Sequence, residues 1–297
     1  MAESPSLRQL VEGATALLAE AGVNSPRVDA IALAEHALDV ERLVLAMAPE
    51  LPRGFPTAYA ALVERRRRRE PLQHITGTAA FRHLRLQARP GVFVPRPETE
   101  VVAQHAIDEA LCLRRQGLDV LVVDLCCGTG AIALSVAQEV DGARVVAIDR
   151  SPEAVDLTGV NAAACGLAVL VAAGDVADPG LLADLVGRVD VVVSNPPYIP
   201  PDAVPVEEEV RDHDPDLALY GGGADGLDVP RAVVRSAARL LRPGGLFVME
   251  HAEGQAAAVR ADVATTERFT DVRTDTDLTG RDRMVLARRA MPPDDRG

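Results

Sequence analysis

The chain has 297 residues, 48% of them apolar and 25% charged, with a formal net charge of −13. That is enough chain to bury a large α/β core beside a smaller companion unit, and the composition is that of a soluble globular protein. It contains no stretch approaching the ~20 apolar residues of a membrane helix, and its acidity argues against a protein that grips nucleic acid through a basic face.

The opening Met1-Ala2-Glu3-Ser4 lacks the basic-then-apolar pattern of a secretory signal, so a cytoplasmic protein is expected. Four cysteines, Cys112, Cys126, Cys127 and Cys165, have no metal-ligand spacing and read as reduced thiols, and no metal is expected. Lysine is absent, so arginine carries the basic charge; with the heavy alanine use this reads as genome composition.

Residues 1–72 read as a small helical bundle. Ser6 caps a helix with Leu7, Leu10, Val11, Leu17 and Leu18 at helical spacing. Ser25-Pro26 opens a second helix. A third is expected around Glu41–Met47 and a fourth from about Pro56 to Arg69. Such a bundle recognises a partner or braces a larger domain. Arg65–Arg69 are five consecutive arginines. They read either as a contact for RNA or an acidic protein face, or as the solvated end of a helix; without interleaved aromatics the second is favoured.

Residues 73–98 read as a β-hairpin linker. His83-Leu-Arg-Leu-Gln alternates polar and apolar, Arg89-Pro90-Gly91 makes a turn, and Val92-Phe-Val follows. From residue 99 to 290 apolar β-branched runs alternate with helical stretches, at Val120–Leu125, Arg144–Ile148, Ala168–Ala172, Val189–Val193 and Leu246–Met249. This pattern predicts an α/β fold with a mostly parallel, doubly wound sheet. Val272–Asp275 and Met284–Ala287 are expected to form an antiparallel pair at one sheet edge. The polar stretch 291–297 is expected to be a disordered tail.

The first strand of the sheet runs into Cys126-Cys127-Gly128-Thr129-Gly130 and then a helix. A strand, a glycine turn and a helix start make a nucleotide-type pocket. Asp149 ends the next strand about twenty residues on, where an acid can bind ribose hydroxyls. Asp175 ends the third, placed either to accept from an adenine amino group, with Val176 packing on the ring, or simply to open a turn. The loop also fits G-x-G-x-x-A, so a dinucleotide-dependent dehydrogenase is a rival at this point.

The fourth strand ends in Ser194-Asn195-Pro196-Pro197-Tyr198. Two prolines fix the backbone and remove two donors, which leaves a rigid cluster of acceptors beside the flat face of Tyr198. Such a pocket suits an NH2 group on a planar π-system. It can hold both hydrogens, draw the nitrogen toward tetrahedral geometry and aim its lone pair at an electrophile. Hydride transfer has no use for it, which demotes the dehydrogenase.

Asn-Pro-Pro-Tyr after this glycine loop resembles the amino-nitrogen methyltransferases. Further segments resemble the peptide chain release factor glutamine methyltransferases (the PrmC/HemK family) along essentially the whole chain. They are Pro71-Leu-Gln-His-Ile-Thr-Gly77, the Gly91–Glu100 segment, Asp214-Pro215, Gly221–Gly226, Gly244-Gly245 with Glu250-His251, and Asp277–Arg283. The resemblance implies a Rossmann-like class I methyltransferase domain over 99–290. It implies S-adenosylmethionine as cofactor and methylation of the glutamine in the Gly-Gly-Gln loop of release factors, by a cytoplasmic monomer without stable nucleic-acid or membrane partners. Carried over by position, Cys126, Cys127, Gly128, Thr129, Gly130, Asp149, Val176 and Asn195 would contact the cofactor, and Asp175 joins them on the reading above. Asn195, Pro196, Pro197 and Tyr198 would bind the glutamine amide and carry catalysis. The chain departs from the family at Cys126, where glycine is common, and at Cys127, where a small polar residue is. The alternatives are an enzyme acting on exocyclic amino groups of DNA or RNA bases, and a binding module that keeps the fold without the activity.

Overall fold

A computed structural model describes residues 5–47 and 50–292. Most of the expected tail, residues 293–297, lies outside the described residues. The chain divides into two compact units, residues 1–78 with 205–213, and residues 79–204 with 214–297.

The first unit is helical: α1 (Leu7–Glu20), α2 (Pro26–Leu38), α3 (Phe55–Arg67) and α4 (Leu72–Thr76). α1 begins in a reciprocal cap. The Gln9 N–H donates to the Ser6 hydroxyl at 3.3 Å, and the Ser6 N–H donates to the Gln9 side chain at 2.8 Å. Caps of this kind stabilise a helix by about 1 kcal/mol. The buried face of α1 carries Leu7, Val11, Ala14 and Leu18, which pack with Leu33 of α2 and with Phe55, Tyr59 and Val63 of α3. The Tyr59 hydroxyl donates to the Ala30 carbonyl at 2.8 Å, which satisfies the one polar atom of this buried ring. The helix expected over Glu41–Met47 is instead a single 3-10 turn at Leu45–Met47. Only three residues of it wind, and Leu43 is anchored through its N–H to the Glu35 side chain at 2.8 Å. α4 went unread in the sequence because five residues are too few to show a helical period.

The second unit opens with a hairpin, β1 (Thr78–Phe81) and β2 (Leu84–Gln87), turning at Arg82-His83. This corrects the expected pairing. Leu84–Gln87 is a strand, but its partner precedes it, and Val92–Val94 is not a strand. Arg82 takes the turn in the left-handed region at φ 50°, held there because its N–H donates to Glu100 and its guanidinium to Glu139. Prolines 90, 95 and 97 leave the downstream segment short of ladder donors, and Val92 packs on Ala154 and Leu157 instead.

A seven-stranded sheet follows, made of β3 (Leu121–Leu125), β4 (Arg144–Asp149), β5 (Leu170–Ala173), β6 (Val189–Ser194), β7 (Leu241–Glu250), β8 (Phe269–Thr276) and β9 (Asp282–Arg289). The strand order is β5-β4-β3-β6-β7-β9-β8. The first five are parallel, and β9 pairs antiparallel with both β7 and β8, as the sequence pattern anticipates. Helices α5 (Thr99–Arg115), α6 (Ala131–Glu139), α7 (Pro152–Cys165), α8 (Glu208–His213), α9 (Asp216–Leu219), α10 (Asp228–Leu240) and α11 (Ala256–Thr265) complete the chain; α8 belongs by its contacts to the helical unit. Every residue of β3 and β6 is buried, as expected for central parallel strands covered on both faces. One apolar cluster joins α5 and α6 to the sheet, and another joins α10 and α11 to its other residues. Phe81, Leu84 and Leu86 of the hairpin lie in the first of these clusters, so the hairpin is part of the sheet unit's core. Among the described residues no helix is long and apolar enough to cross a membrane.

Candidate active site at the carboxyl edge of the sheet

The register aligns five strand ends. Leu125 pairs with Ile148 and with Ser194, Asp149 with Ala173, and Ser194 with Met249. β3 and β6 flank the point where strand order reverses, and ligands of doubly wound sheets bind at that crevice. The Ser194 hydroxyl ties the two strands at this point by donating to the Leu125 carbonyl at 2.6 Å.

Cys126 follows β3 in the left-handed region, at φ 63°. This conformation favours glycine, and here a cysteine adopts it. Burial and the nearby carboxylates push the Cys126 thiol well up, and burial does the same to Cys127. Both are therefore poor nucleophiles. The Cys127 sulfur turns to Thr158 of α7, 3.6 Å from its hydroxyl, and the Cys127 N–H donates to the Ile148 carbonyl at 3.0 Å. Gly128 has open space where a side chain would project. At Gly130 a Cβ would lie 2.8 Å from Thr158 Cγ2, so close helix packing as well as φ 81° demands glycine.

Two residues that sequence reading missed brace this loop from α7. The Thr158 hydroxyl donates to the Gly128 carbonyl at 2.9 Å, and the Asn161 amide donates to the Thr129 carbonyl at 3.0 Å. Both are fully buried polar residues on a helix that also holds the hairpin, since the Gln87 N–H donates to Asn161 at 2.7 Å. Buried Thr and Asn inside an otherwise alanine-rich helix were the available signal.

Asp149 accepts from the Gly128 N–H at 2.8 Å and from the Ser151 N–H at 2.9 Å. Burial pushes its carboxyl up while these N–H bonds pull the other way. The amide that would cradle a pyrophosphate in a dinucleotide site is therefore spent on a carboxylate. Asp124, fully buried on β3, accepts from the Ala133 N–H at 3.0 Å, and burial pushes it up to about 8. Asp175 gives one oxygen to the Ala177 N–H at 2.8 Å, which is the turn-opening role, while its other oxygen lies 3.7 Å from Arg150. Val176 is buried in the core on the α10 side, where its carbonyl accepts from the Ser236 hydroxyl. An edge lined by Asp149 and Asp175 suits hydroxyls and a cation better than phosphates.

At the end of β6 the Asn195 amide donates to the Thr99 hydroxyl at 3.2 Å. Thr99 donates to Glu250 at 2.8 Å, and the Tyr198 hydroxyl donates to the other Glu250 oxygen at 3.1 Å. Glu250 is 1% exposed, and desolvation pushes its carboxyl up to about 7. The Tyr198 carbonyl accepts from the Gln255 side chain at 2.7 Å. The Gly221–Gly226 turn presses on the same segment: at Gly226 a Cβ would lie 2.4 Å from the Tyr198 carbonyl oxygen. The structure thus gathers Asn195, Tyr198 and the glycine loop at one edge, and adds Thr99, Glu250 and Gln255, which the sequence reading did not place there. Arg96 and Glu100 act as braces, Arg96 on Asp214 at 2.6 Å and Glu100 on the Arg82 N–H.

Two family models match the chain. Residues 9–77 match the model of the PrmC N-terminal domain, and residues 85–207 match that of the methyltransferase small domain. The chain is 47% identical to a release factor glutamine methyltransferase of Mycolicibacterium smegmatis, over 95% of this chain and 98% of the relative. It is 47% identical to one of Streptomyces coelicolor, over 95% and 98%. It is 43% identical to one of Deinococcus radiodurans, over 96% and 99%. Among solved structures, a Thermus thermophilus 16S rRNA methyltransferase in complex with AdoMet and guanosine aligns with a TM-score of 0.50 at 21% identity, covering 71% of this chain and 49% of that one. That likeness speaks for the fold.

Proposed function

The chain belongs to the release factor glutamine methyltransferase family, and from that premise we propose that it methylates the side-chain amide of the glutamine in the Gly-Gly-Gln loop of peptide chain release factors, with S-adenosylmethionine as methyl donor. The observation that carries this reading is the Asn195–Tyr198 clamp set beside the glycine loop at the switch point of the sheet.

The edge fits the cofactor. Asp149 is a ribose-type acceptor, Gly128 leaves room for close approach, and no phosphate has to be neutralised. When bound, S-adenosylmethionine supplies an electrophilic methyl carbon on a cationic sulfur. The chain's own residues do the rest. Asn195 turns its NH2 toward Thr99, which leaves its carbonyl oxygen for one hydrogen of the substrate amide. The Tyr198 carbonyl is already taken by Gln255, so the second hydrogen falls to a carbonyl of the proline pair. Tyr198 stacks on the planar carboxamide. Held this way, the nitrogen lone pair is no longer fully shared with its carbonyl and points to the cofactor side. With the cofactor bound, the nitrogen would take the methyl carbon as its bond to sulfur breaks and the electron pair leaves on sulfur, and the methylated nitrogen would then shed a proton to solvent, so no strong base is needed beforehand. The helical unit recognises the protein substrate while the sheet unit performs the transfer, and a cytoplasmic monomer suffices for both.

Mass spectrometry of a class I release factor after incubation with enzyme and cofactor is expected to show one added methyl on the loop glutamine, and none in a Gln→Ala release factor. Asn195→Ala is expected to lower kcat by about 100- to 1,000-fold with the fold intact. Label that enters DNA or RNA and bypasses the release factor would replace this reading with base methylation.

A further inference from the structure

The clamp does not hold itself. Asn195 and Tyr198 stand at its two ends, and both lead to one buried carboxyl, Glu250 at the end of β7, Asn195 by way of the Thr99 hydroxyl at the start of α5. We propose that Thr99 and Glu250 are positioning residues for methyl transfer: Glu250 draws the Thr99 and Tyr198 hydroxyls to itself, and Thr99 thereby fixes which way the Asn195 carboxamide faces. This rests on the reading of Asn195–Tyr198 as the amide-binding clamp.

The directionality follows from hydrogen-bond chemistry. Above about pH 7 Glu250 is ionised, and an ionised carboxylate accepts and cannot donate. Both hydroxyls facing Glu250 must therefore spend their single proton on it. Thr99 is left with lone pairs only on its other side, so it can take only the NH2 end of Asn195, at 3.2 Å. The carboxamide cannot flip without losing that bond. Its carbonyl end is held toward the substrate side, and a flipped Asn195 would present a donor to a donor. The Tyr198 ring is fixed by the same carboxylate, since a phenol anchored through its hydroxyl cannot swing off the stacking position.

Burying a carboxyl is costly unless it is well partnered. Glu250 is 1% exposed, and the charged groups that face it are few: Arg283 on β9 attracts, Glu98 before α5 repels, and Tyr198 donates. A glutamine or an apolar residue would fill this space at lower cost. A carboxylate at that position is explained by its being a pure acceptor, which neither replacement is.

Three changes separate a positioning role from a packing one. Glu250→Gln keeps the shape but can donate. Thr99→Val keeps the shape but loses the hydroxyl. Thr99→Ser keeps the hydroxyl. Glu250→Gln and Thr99→Val are expected to lower kcat by about 100-fold, while affinity for S-adenosylmethionine measured by calorimetry stays within about threefold of wild type. Thr99→Ser is expected to stay within about threefold of wild-type kcat. A second readout needs no substrate. The chain has three asparagines, Asn24, Asn161 and Asn195, so selective 15N labelling leaves three side-chain amide pairs, and the one lost in Asn195→Asp is that of Asn195. That pair is expected to move in Thr99→Val and Glu250→Gln and to hold its position in Thr99→Ser. The inference is overturned if folded Thr99→Val or Glu250→Gln retains wild-type kcat, if Thr99→Ser loses as much as Thr99→Val, or if the Asn195 resonances ignore all three. A wild-type enzyme that leaves release factors unmethylated sinks the parent reading instead; the resonances still report on the network, and kcat is then read on the acceptor it does methylate.

Discussion

Cys126 is the residue at which this chain departs most from what its loop asks for. An L-residue in the left-handed region costs about 1–2 kcal/mol, and Cys126 sits there at φ 63°. The side chain is small and unbranched, and the loop around it is held by the Ser194 and Thr158 bonds, so the strain is borne by neighbours and not relaxed. Cys126→Gly is therefore expected to keep S-adenosylmethionine affinity within about threefold, because glycine adopts this conformation freely. Cys126→Val is expected to lose at least about tenfold, because a β-branched residue is a true outlier there. Isothermal titration of both variants, alongside their melting curves, checks this; equal affinity of the valine variant would show that the loop tolerates a bulky residue at φ 63°.

At the scale of elements, the arginine run resolves in a way neither sequence reading anticipated. All five guanidiniums are paired within the chain: Arg65 with Glu70, Arg67 and Arg68 with Glu64, Arg66 with Asp29 and Glu209, and Arg69 with Glu209. Only part of the run is a solvated helix end. The Arg66 side chain is 8% exposed and donates to Asp29 at 2.7 Å and to Glu209 at 2.8 Å. Glu209 comes from the segment after the Asn195–Tyr198 clamp, which belongs by its contacts to the helical unit. The two arginines hold the Glu209 carboxyl down at about 2 against the cost of burial. Glu209, in an acidic stretch of the chain, is thus an internal partner of the arginine run. Arg66→Ala strands the buried Asp29 carboxylate and leaves Glu209 to Arg69 alone, and is expected to destabilise the helical unit by about 3 kcal/mol. Arg68→Ala, on an exposed pair, should leave the unfolding midpoint where it is. Chemical denaturation monitored by helical circular dichroism distinguishes the two, and equal midpoints would mean that the buried pair adds nothing.

For the whole molecule, two buried carboxyls set an opposition between stability and pH. Asp124 is pushed up to about 8 and Glu250 to about 7, against ordinary values near 4. The folded state therefore binds protons that the unfolded chain has already released. The stability that protonation confers is fully present below about pH 4 and is lost as pH rises through 7 and then 8. Asp124→Asn removes the larger share of this. The variant is expected to gain stability relative to wild type as pH rises from 5 to 9, by on the order of 3 kcal/mol across that range. Calorimetric melting of the pair at each pH cancels the histidines and the paired surface acids. A difference that stays flat with pH would mean that Asp124 is ionised in the native state throughout.

Much of this was legible in the chain itself, because the signals were local. The alternation of β-branched runs with helices needs only nearest neighbours, and the five strands of the sheet's parallel part and its antiparallel edge pair lie where that alternation puts them, within a few residues. The chemistry proposed for the glycine loop and for Asn195-Pro196-Pro197-Tyr198 rests on residue type and adjacency. What tertiary structure alone decided are meetings between residues far apart in sequence. Thr99, Asn195, Tyr198 and Glu250 form one network although 151 residues separate Thr99 from Glu250. Glu209 reaches Arg66 across 143 residues. The hairpin's partner strand was misread because either flank of Leu84–Gln87 could pair, and only packing against the sheet core chose between them. Local conformational preference and side-chain chemistry are written residue by residue; which distant groups share a desolvated space is set by how the layers close, and no short window of sequence contains that.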